Sequence, residues 1–381
     1  RLFLTLLLIT GLGVGLSWCI RFLQNLPPRW YLVGELNLIL LPYMIFICVA
    51  AILGACLNVR QRFAIPAFSP VLLNLSMIFF LGVLAYRFTD TAAEAVVLLS
   101  VGVLVGGFLQ LLFPSWALMR EGWRPRWDRS SDNAVSQLWV LFMPGLAGAA
   151  VLQVNILVGR VLAFSLEESA VALLYLASRL IELPLGVFSV AVVTVAFPQM
   201  ARLASAGDRE GYGEAFREGF RLILAISIPA AVGLIVLAFP ILDSLFRYGA
   251  FTVDDVRATV PLLILYALGL PFYSLATYLV RGLHSRKDMK TPLRIAVVVL
   301  FLNLGLSLLF MFLLGAAGLA LANVVATLVQ TLLLLRAMQQ HFPEIQLLQM
   351  GRSLASILGG SLVLGALCWG GWQGLQLLDL T

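Results

Sequence analysis

Eleven stretches of this sequence stay apolar over roughly 20 residues, the length a helix needs to cross the hydrocarbon core of a bilayer. They fall at about 3–20, 36–57, 66–86, 93–117, 136–160, 171–200, 219–242, 260–280, 292–313, 315–335 and 354–376. Their apolar residues run continuously and do not alternate with period two. That selects helices over a barrel, since a helix satisfies its own backbone groups in lipid. An all-α polytopic membrane protein with about eleven transmembrane helices is expected. Composition agrees, with 61% hydrophobic and 12% charged residues and a mean hydropathy of +1.00, against about 45–50% apolar and 25% charged for soluble domains.

The net charge of +6 would suit a polyanion, but the placement of the basic residues answers differently. Of the 25 Lys and Arg, 17 lie in one alternate set of loops and five in the other, which also holds Glu167 and Glu168. The rich set includes Arg120, Arg124, Arg126 and Arg129, and then Arg281, Arg286, Lys287, Lys290 and Arg294. By the positive-inside rule these loops are cytoplasmic. The charge follows from topology, so no nucleic-acid partner is implied. The loop holding Arg120, Arg124, Arg126 and Arg129 reads either as a topology anchor or as a site for anionic membrane lipids, at about 1 kcal/mol per charge near the surface. The chain starts with Arg and enters an apolar run at once, which suggests a fragment of a longer protein.

Enzymatic and metal chemistry find little support. Cys19, Cys48, Cys56 and Cys368 all lie in apolar runs with no CxxC or Cys/His cluster. His284 and His341 sit in polar loops without a nucleophile motif, and no paired carboxylates suggest an acid/base dyad. A transporter is expected, with no metal and no organic cofactor.

The candidate site lies within a span. Arg179 and Glu182 interrupt the apolar run LLYLASRLIELPLGVFSVAVVTVAFPQM. A charge at the bilayer centre costs roughly 2.5–3.5 kcal/mol on insertion scales, so such residues are expected to face a protein interior or a watery cavity and to mark a transport path. At i,i+3 the two share a helix face. The pair serves either as a substrate site or as an interhelical ion lock. Arg160 reads as an outer-interface residue or a cavity-mouth ligand, and Arg221 as the inner edge of its span. The stretch DREGYGEAFREGFR before it, with Phe216 and Phe220 among charges, is expected to rest on the cytoplasmic surface. An internal echo joins NVRQRFAIPAFSPVLLNLSMIFF to GLHSRKDMKTPLRIAVVVLFLNLGLSLLF: a basic turn, a Pro (Pro66, Pro292) and an Asn inside the next run (Asn74, Asn303). It supports a two-lobed reading.

Four blocks then carry a resemblance: NVRQRFAIPAFSPVLLNLSMI, YLASRLIELPLGVFSVAVVTVAFPQMARLA, LFRYGAFTVDD and LHSRKDMKTPLRIA. In order and spacing they resemble the lipid II flippase family, MurJ or MviN, of the multidrug/oligosaccharidyl-lipid/polysaccharide exporter superfamily. The similarity covers essentially the whole chain and aligns it with the third to thirteenth of the family's fourteen helices. It implies two pseudo-symmetric six-helix lobes plus C-terminal helices, with the first two helices and the last absent here. The lobes would be residues 1–118 and 134–338, joined by a basic linker at 119–133 and followed by a lipid-groove helix in 339–381.

The resemblance also implies the activity: transport of lipid II, the lipid-linked peptidoglycan precursor, across the bacterial inner membrane by alternating access. Cell-wall synthesis proteins are implied as partners. Arg179 matches the family's cavity arginine and Glu182 the acid one turn later, so Glu182 can hold Arg179 when no substrate is bound. Two departures stand out. Ser178 replaces an acid common before the arginine, and Gly159 stands where sodium-coupled members use an Asp. The companion positions are Asn303, Ser307 and Asn323, which offer neutral oxygens only, a poor site for a hard cation. Sodium coupling is therefore disfavoured, and membrane potential or protons remain open. Asn303 and Asn323 also read as interhelical hydrogen-bond glue. Two other readings stay open: an exporter of another polyprenyl-linked oligosaccharide or of drugs, and an inactive membrane scaffold.

Overall fold

Long helices follow directly from the apolar runs, and polar residues fix where they stop. The computed structural model describes residues 7–8, 10–15, 17–18, 28–60, 62, 64–124, 150–151, 153–167, 169–341 and 351–377. The helices are α1 (Pro28–Val59), α2 (Ala64–Phe88), α3 (Ala92–Arg120), α4 (Gln153–Leu166), α5 (Ala170–Ala206) and α6 (Arg209–Val236). They continue as α7 (Ala238–Phe246), α8 (Val253–Ser285), α9 (Lys290–Leu314), α10 (Ala316–His341) and α11 (Gly351–Leu377). Among the described residues, nine are long and apolar enough to cross a membrane. The remaining expected spans, at about 3–20 and 136–160, lie partly outside the described residues.

Caps set several helix starts. The Thr91 hydroxyl accepts from the Glu94 amide at 3.3 Å to open α3, and Asp208 accepts from the Gly211 amide at 2.9 Å to open α6. Thr252 and Asp255 form a reciprocal capping box at α8. Helix α5 ends at Gly207, whose φ of +72° supplies the left-handed residue that terminates a helix. Two spans carry a π-helical turn, Phe80–Ala85 in α2 and Leu185–Ser189 in α5.

The chain divides into two compact units, Arg1–Asp132 and Asn133–Thr381. In the first, α3 packs against both α1 and α2. The contact depends on absent side chains. Gly102 and Gly106, a GxxxG pair on α3, meet α2 so closely that a Cβ at Gly106 would stand 2.9 Å from the Leu73 backbone. A Cβ at Gly107 would stand 2.3 Å from the Tyr43 ring on α1. Close backbone approach of this kind is how helices associate where lipid removes the hydrophobic drive. It also brings polar groups into reach: the Ser76 hydroxyl donates to the Gly102 carbonyl at 2.7 Å, and the Tyr43 hydroxyl makes a longer contact to Gln110 Oε1 at 3.4 Å. At one end, Leu53, Leu57, Ala117 and Leu118 form a small core closed by Trp123. There Glu121 binds Arg60 at 2.9 Å and Arg62 at 3.3 Å, tying the α1–α2 turn to the end of α3.

In the second unit α8 lies against α5, α6, α7 and α10, while α9 packs on α10 and α11 on α6. The structure corrects one expectation here. The stretch 208–221 does not rest on a surface: from Arg209 onward it is the first part of α6, and Tyr212, Phe216 and Phe220 are buried in the core. Their i,i+4 spacing makes one apolar stripe, and the interleaved Arg and Glu that suggested a surface helix occupy the other faces. The Tyr212 hydroxyl donates to the Gly282 carbonyl at 3.0 Å and the Tyr278 hydroxyl to the Phe216 carbonyl at 2.9 Å. The expected span at 219–242 is also divided, since α6 stops at Val236 and the shorter α7 follows.

Gly219 faces Tyr278 so closely that a Cβ would lie 2.3 Å from the hydroxyl. Gly219→Ala should therefore expel a hydroxyl that is already hydrogen-bonded in the core, costing about 1–3 kcal/mol. The expected reading is a lower Tm in detergent, partly restored in Gly219→Ala/Tyr278→Phe.

The Arg60 hydrogen bond, with the nearby Arg60 and Arg62 charges, holds the Glu121 carboxyl below the usual carboxylate range. Because the folded value is depressed, this contribution is present above the unfolded carboxylate pKa of about 4.3 and is lost as pH falls through the folded value. The Arg60 and Arg62 amides, bonded to Cys56 and Leu57, report it. Glu121→Gln should lower their hydrogen-exchange protection at neutral pH, and wild type and variant should converge in acid.

Candidate functional site

The geometry of α5 sorts its residues into two faces. Ala170, Leu173, Leu174, Ala177, Ile181 and Pro184 are buried against the second unit. Tyr175, Arg179, Glu182 and Gly186 form the opposite stripe, at spacings of four, three and four, and all are exposed. Arg179 Nη1 donates to Glu182 Oε2, and both side chains are 52% exposed. Of the two expected surroundings, protein interior or watery cavity, the packed interior is not where the pair lies, because small and aliphatic residues already fill the inward face. The Arg179 guanidinium also lies over the Tyr175 ring, its Cζ 4.7 Å from the centroid. A cation beside its own carboxylate and an aromatic face is far cheaper to hold in an apolar span than an isolated one.

One turn beyond, α5 passes through the π-helical segment Leu185–Ser189. Ser189 is buried and donates to the Ser274 hydroxyl of α8 at 2.8 Å. This anchor fixes the segment that carries the charged stripe, and the sequence analysis missed it. Its only signal was a hydroxyl in each of two apolar runs.

Arg160 on α4 and Arg221 on α6 are both exposed. Among the described residues, no hydrogen bond or ion pair joins either to Arg179 or Glu182. The candidate ion positions are also divided by their bonding. Asn303 on α9 is 4% exposed and donates through Nδ2 to Asn155 Oδ1 of α4 at 2.8 Å. Asn323 on α10 instead accepts from the Tyr273 hydroxyl of α8 at 2.6 Å. Ser307 is buried one turn beyond Asn303, and a Cβ at Gly159, one turn beyond Asn155, would meet nothing within 4 Å. Asn303 Oδ1 is buried without a hydrogen-bond partner among the described residues. No cluster of three or more His, Cys, Asp or Glu that could hold a metal occurs among the described residues. Asn155 is a participant that sequence reasoning overlooked, although an amide in the run QVNILVG was a legible signal. Asn74, the supposed counterpart of Asn303, is exposed, so the internal echo does not extend to environment.

Among the described residues, nine helices long and apolar enough to cross a membrane, one of them carrying an ion pair, make this a multi-pass membrane protein. A solved "Lipid II flippase MurJ, inward closed conformation" superposes with a TM-score of 0.76 at 25% identity, over 100% of this chain and 83% of that one. An inward-facing MATE family multidrug resistance transporter of the MOP superfamily gives 0.74 at 14% identity over 90% and 80%, which speaks for the fold alone. The sequence profile described as "Lipid II flippase MurJ" matches residues 2–376, and the chain belongs to that family. A "Probable lipid II flippase MurJ" of Vibrio cholerae is 33% identical over 96% of this chain and 70% of its own length. One of Bdellovibrio bacteriovorus is 33% identical over 87% of this chain and 63% of its own length.

Removing one partner of the Asn155–Asn303 bond strands a buried amide. Asn155→Leu should destabilise the protein by about 0.6–2 kcal/mol, the range for polar pairs between membrane helices, seen as a lower Tm in detergent. Asn155→Leu/Asn303→Leu should recover part of the loss, because it removes both unsatisfied groups.

Proposed function

We propose that this protein moves lipid II, the lipid-linked peptidoglycan precursor, from the inner to the outer leaflet of a bacterial inner membrane. Arg179 receives the diphosphate. The observation that carries this reading is the Arg179–Glu182 pair on the face of α5 that the second unit leaves unpacked. A diphosphate crossing a low-dielectric medium needs permanently charged, planar, bidentate donors, which guanidinium supplies and ammonium does not. Glu182 keeps the pair close to neutral between cargoes, so the empty protein does not carry an isolated cation through lipid. Alternating access exposes the site to one leaflet at a time. Peptidoglycan synthases that consume lipid II on the far side are the partners this activity requires.

The energy source we propose is the membrane potential. Neutral oxygens at Asn303, Ser307 and Asn323 and the bare Gly159 make a weak site for sodium, which prefers carboxylates or several converging carbonyls. An inside-negative potential drives an anion outward with about 2.3 kcal/mol per charge per 100 mV, so the charge of the cargo itself suffices.

The test is rescue of a bacterium depleted of its own lipid II flippase by the full-length gene, as wild type and as Arg179→Ala at matched membrane levels. Wild type should restore growth and clear inner-leaflet lipid II, while Arg179→Ala should do neither. Rescue by both would reduce the pair to an ion lock. Failure of correctly inserted wild type would point to another lipid-linked cargo or to a scaffold.

A further inference from the structure

The Arg179 guanidinium is restrained from two directions. The Tyr175 ring lies against one face, with Cζ 4.7 Å from the centroid, and the Glu182 carboxylate takes Nη1. The three residues stand at i−4, i and i+3, so the restraint is built into one helix and does not wait for another element to close on it. A guanidinium offers two bidentate edges, Nη1/Nη2 and Nε/Nη2, and a phosphate binds in its plane. With Nη1 committed to Glu182, only the Nε/Nη2 edge remains as a complete fork. The Tyr175 ring covers one face of the guanidinium.

We infer that Tyr175 is a positioning residue: its ring fixes the guanidinium plane while Glu182 fixes Nη1, so that the Nε/Nη2 edge is presented as a ready fork for a diphosphate. This rests on the reading of Arg179 as the cargo ligand. Tyr175 does not serve the core, which on α5 is built from Leu173, Leu174, Ala177 and Ile181. The rival role is that of an interfacial aromatic anchor, since Tyr175 lies near the start of α5 and Tyr is enriched at membrane surfaces. An anchor acts independently of Arg179, whereas a positioning residue acts only through it. On the inferred geometry the cargo does not displace Glu182, and the carboxylate and the diphosphate share one guanidinium.

The experiment measures binding of undecaprenyl diphosphate to the purified full-length protein in nanodiscs, for wild type, Tyr175→Leu, Tyr175→Phe, Arg179→Ala and Arg179→Ala/Tyr175→Leu. Tyr175→Leu should weaken binding by about 3- to 30-fold, the span of a cation–π contact from exposed to desolvated. Tyr175→Phe, which keeps the ring, should restore it. In the Arg179→Ala background Tyr175→Leu should change nothing further, and the Tm of Tyr175→Leu should match wild type. The inference is overturned if Tyr175→Leu binds as wild type, if its effect persists without Arg179, if Phe is as weak as Leu, or if the Tm falls with the affinity. Wild type that fails to bind, or Arg179→Ala that binds as wild type, overturns the cargo role of Arg179 itself and with it the role of Tyr175.

Discussion

A bilayer offers a polar group no partner, and the fold is organised by that scarcity. Hydroxyls in the spans turn back onto their own helices: Ser100 to the Val96 carbonyl at 2.9 Å, Thr194 to Val190 at 2.7 Å, Thr277 to Tyr273 at 2.9 Å and Ser361 to Ile357 at 2.7 Å. Others reach a carbonyl or hydroxyl on a neighbour, whereas the buried Thr10 and Ser227 hydroxyls find no partner among the described residues. Ser76 finds Gly102, Ser189 finds Ser274, and Thr331 bonds both its own helix and the Phe272 carbonyl of α8. Each such bond is worth little alone, but an unmade one costs more than a made one gains. Polar side chains therefore specify which helices meet, even though apolar contact fills most of the interface.

Close approach requires small residues, and the two units achieve it differently. In the first, α3 supplies Gly102, Gly106 and Gly107, and its neighbours supply Phe80, Leu73 and Tyr43. In the second, aromatic residues of α6 and α8 interlock through Gly219 and Gly282, and two tyrosine hydroxyls cap carbonyls in the process. The second arrangement binds the end of the unit where α6 begins and α8 ends, and it leaves the outer stripe of α5 unpacked. The aromatic core holds that end, and the charged stripe of α5 stays accessible away from it.

Hydropathy made the spans legible because a lipid-crossing helix is apolar all round and needs no periodicity to be seen. It was silent about faces for the same reason. Arg179 and Glu182 were found by their cost, but nothing in the run indicated that Ala177 and Ile181 would take the inward side. The charges in DREGYGEAFREGFR suggested a surface helix, whereas the spacing of Tyr212, Phe216 and Phe220 was the truer signal, and it is buried. The GxxxG pair of α3 was readable and was overlooked. The split of Asn303 from Asn323 was not readable, since it depends on which neighbour each amide meets: Asn155 on α4 for one and Tyr273 on α8 for the other.

Charge bookkeeping joins the site to its energetics. The Arg179–Glu182 pair sums to about zero, and neither Gly159 nor the Asn303, Ser307 and Asn323 positions bring a carboxylate. On the proposed reading the empty site then moves no net charge through the field, and the loaded site moves that of the cargo. Work done by the potential falls on the outward step alone, and the return step is electrically free. A carboxylate at Gly159 would alter this balance, since it would have to be neutralised by a cation on each crossing. On that reading the driving charge resides on what is carried, and the neutral pair on α5 is what lets the empty site return.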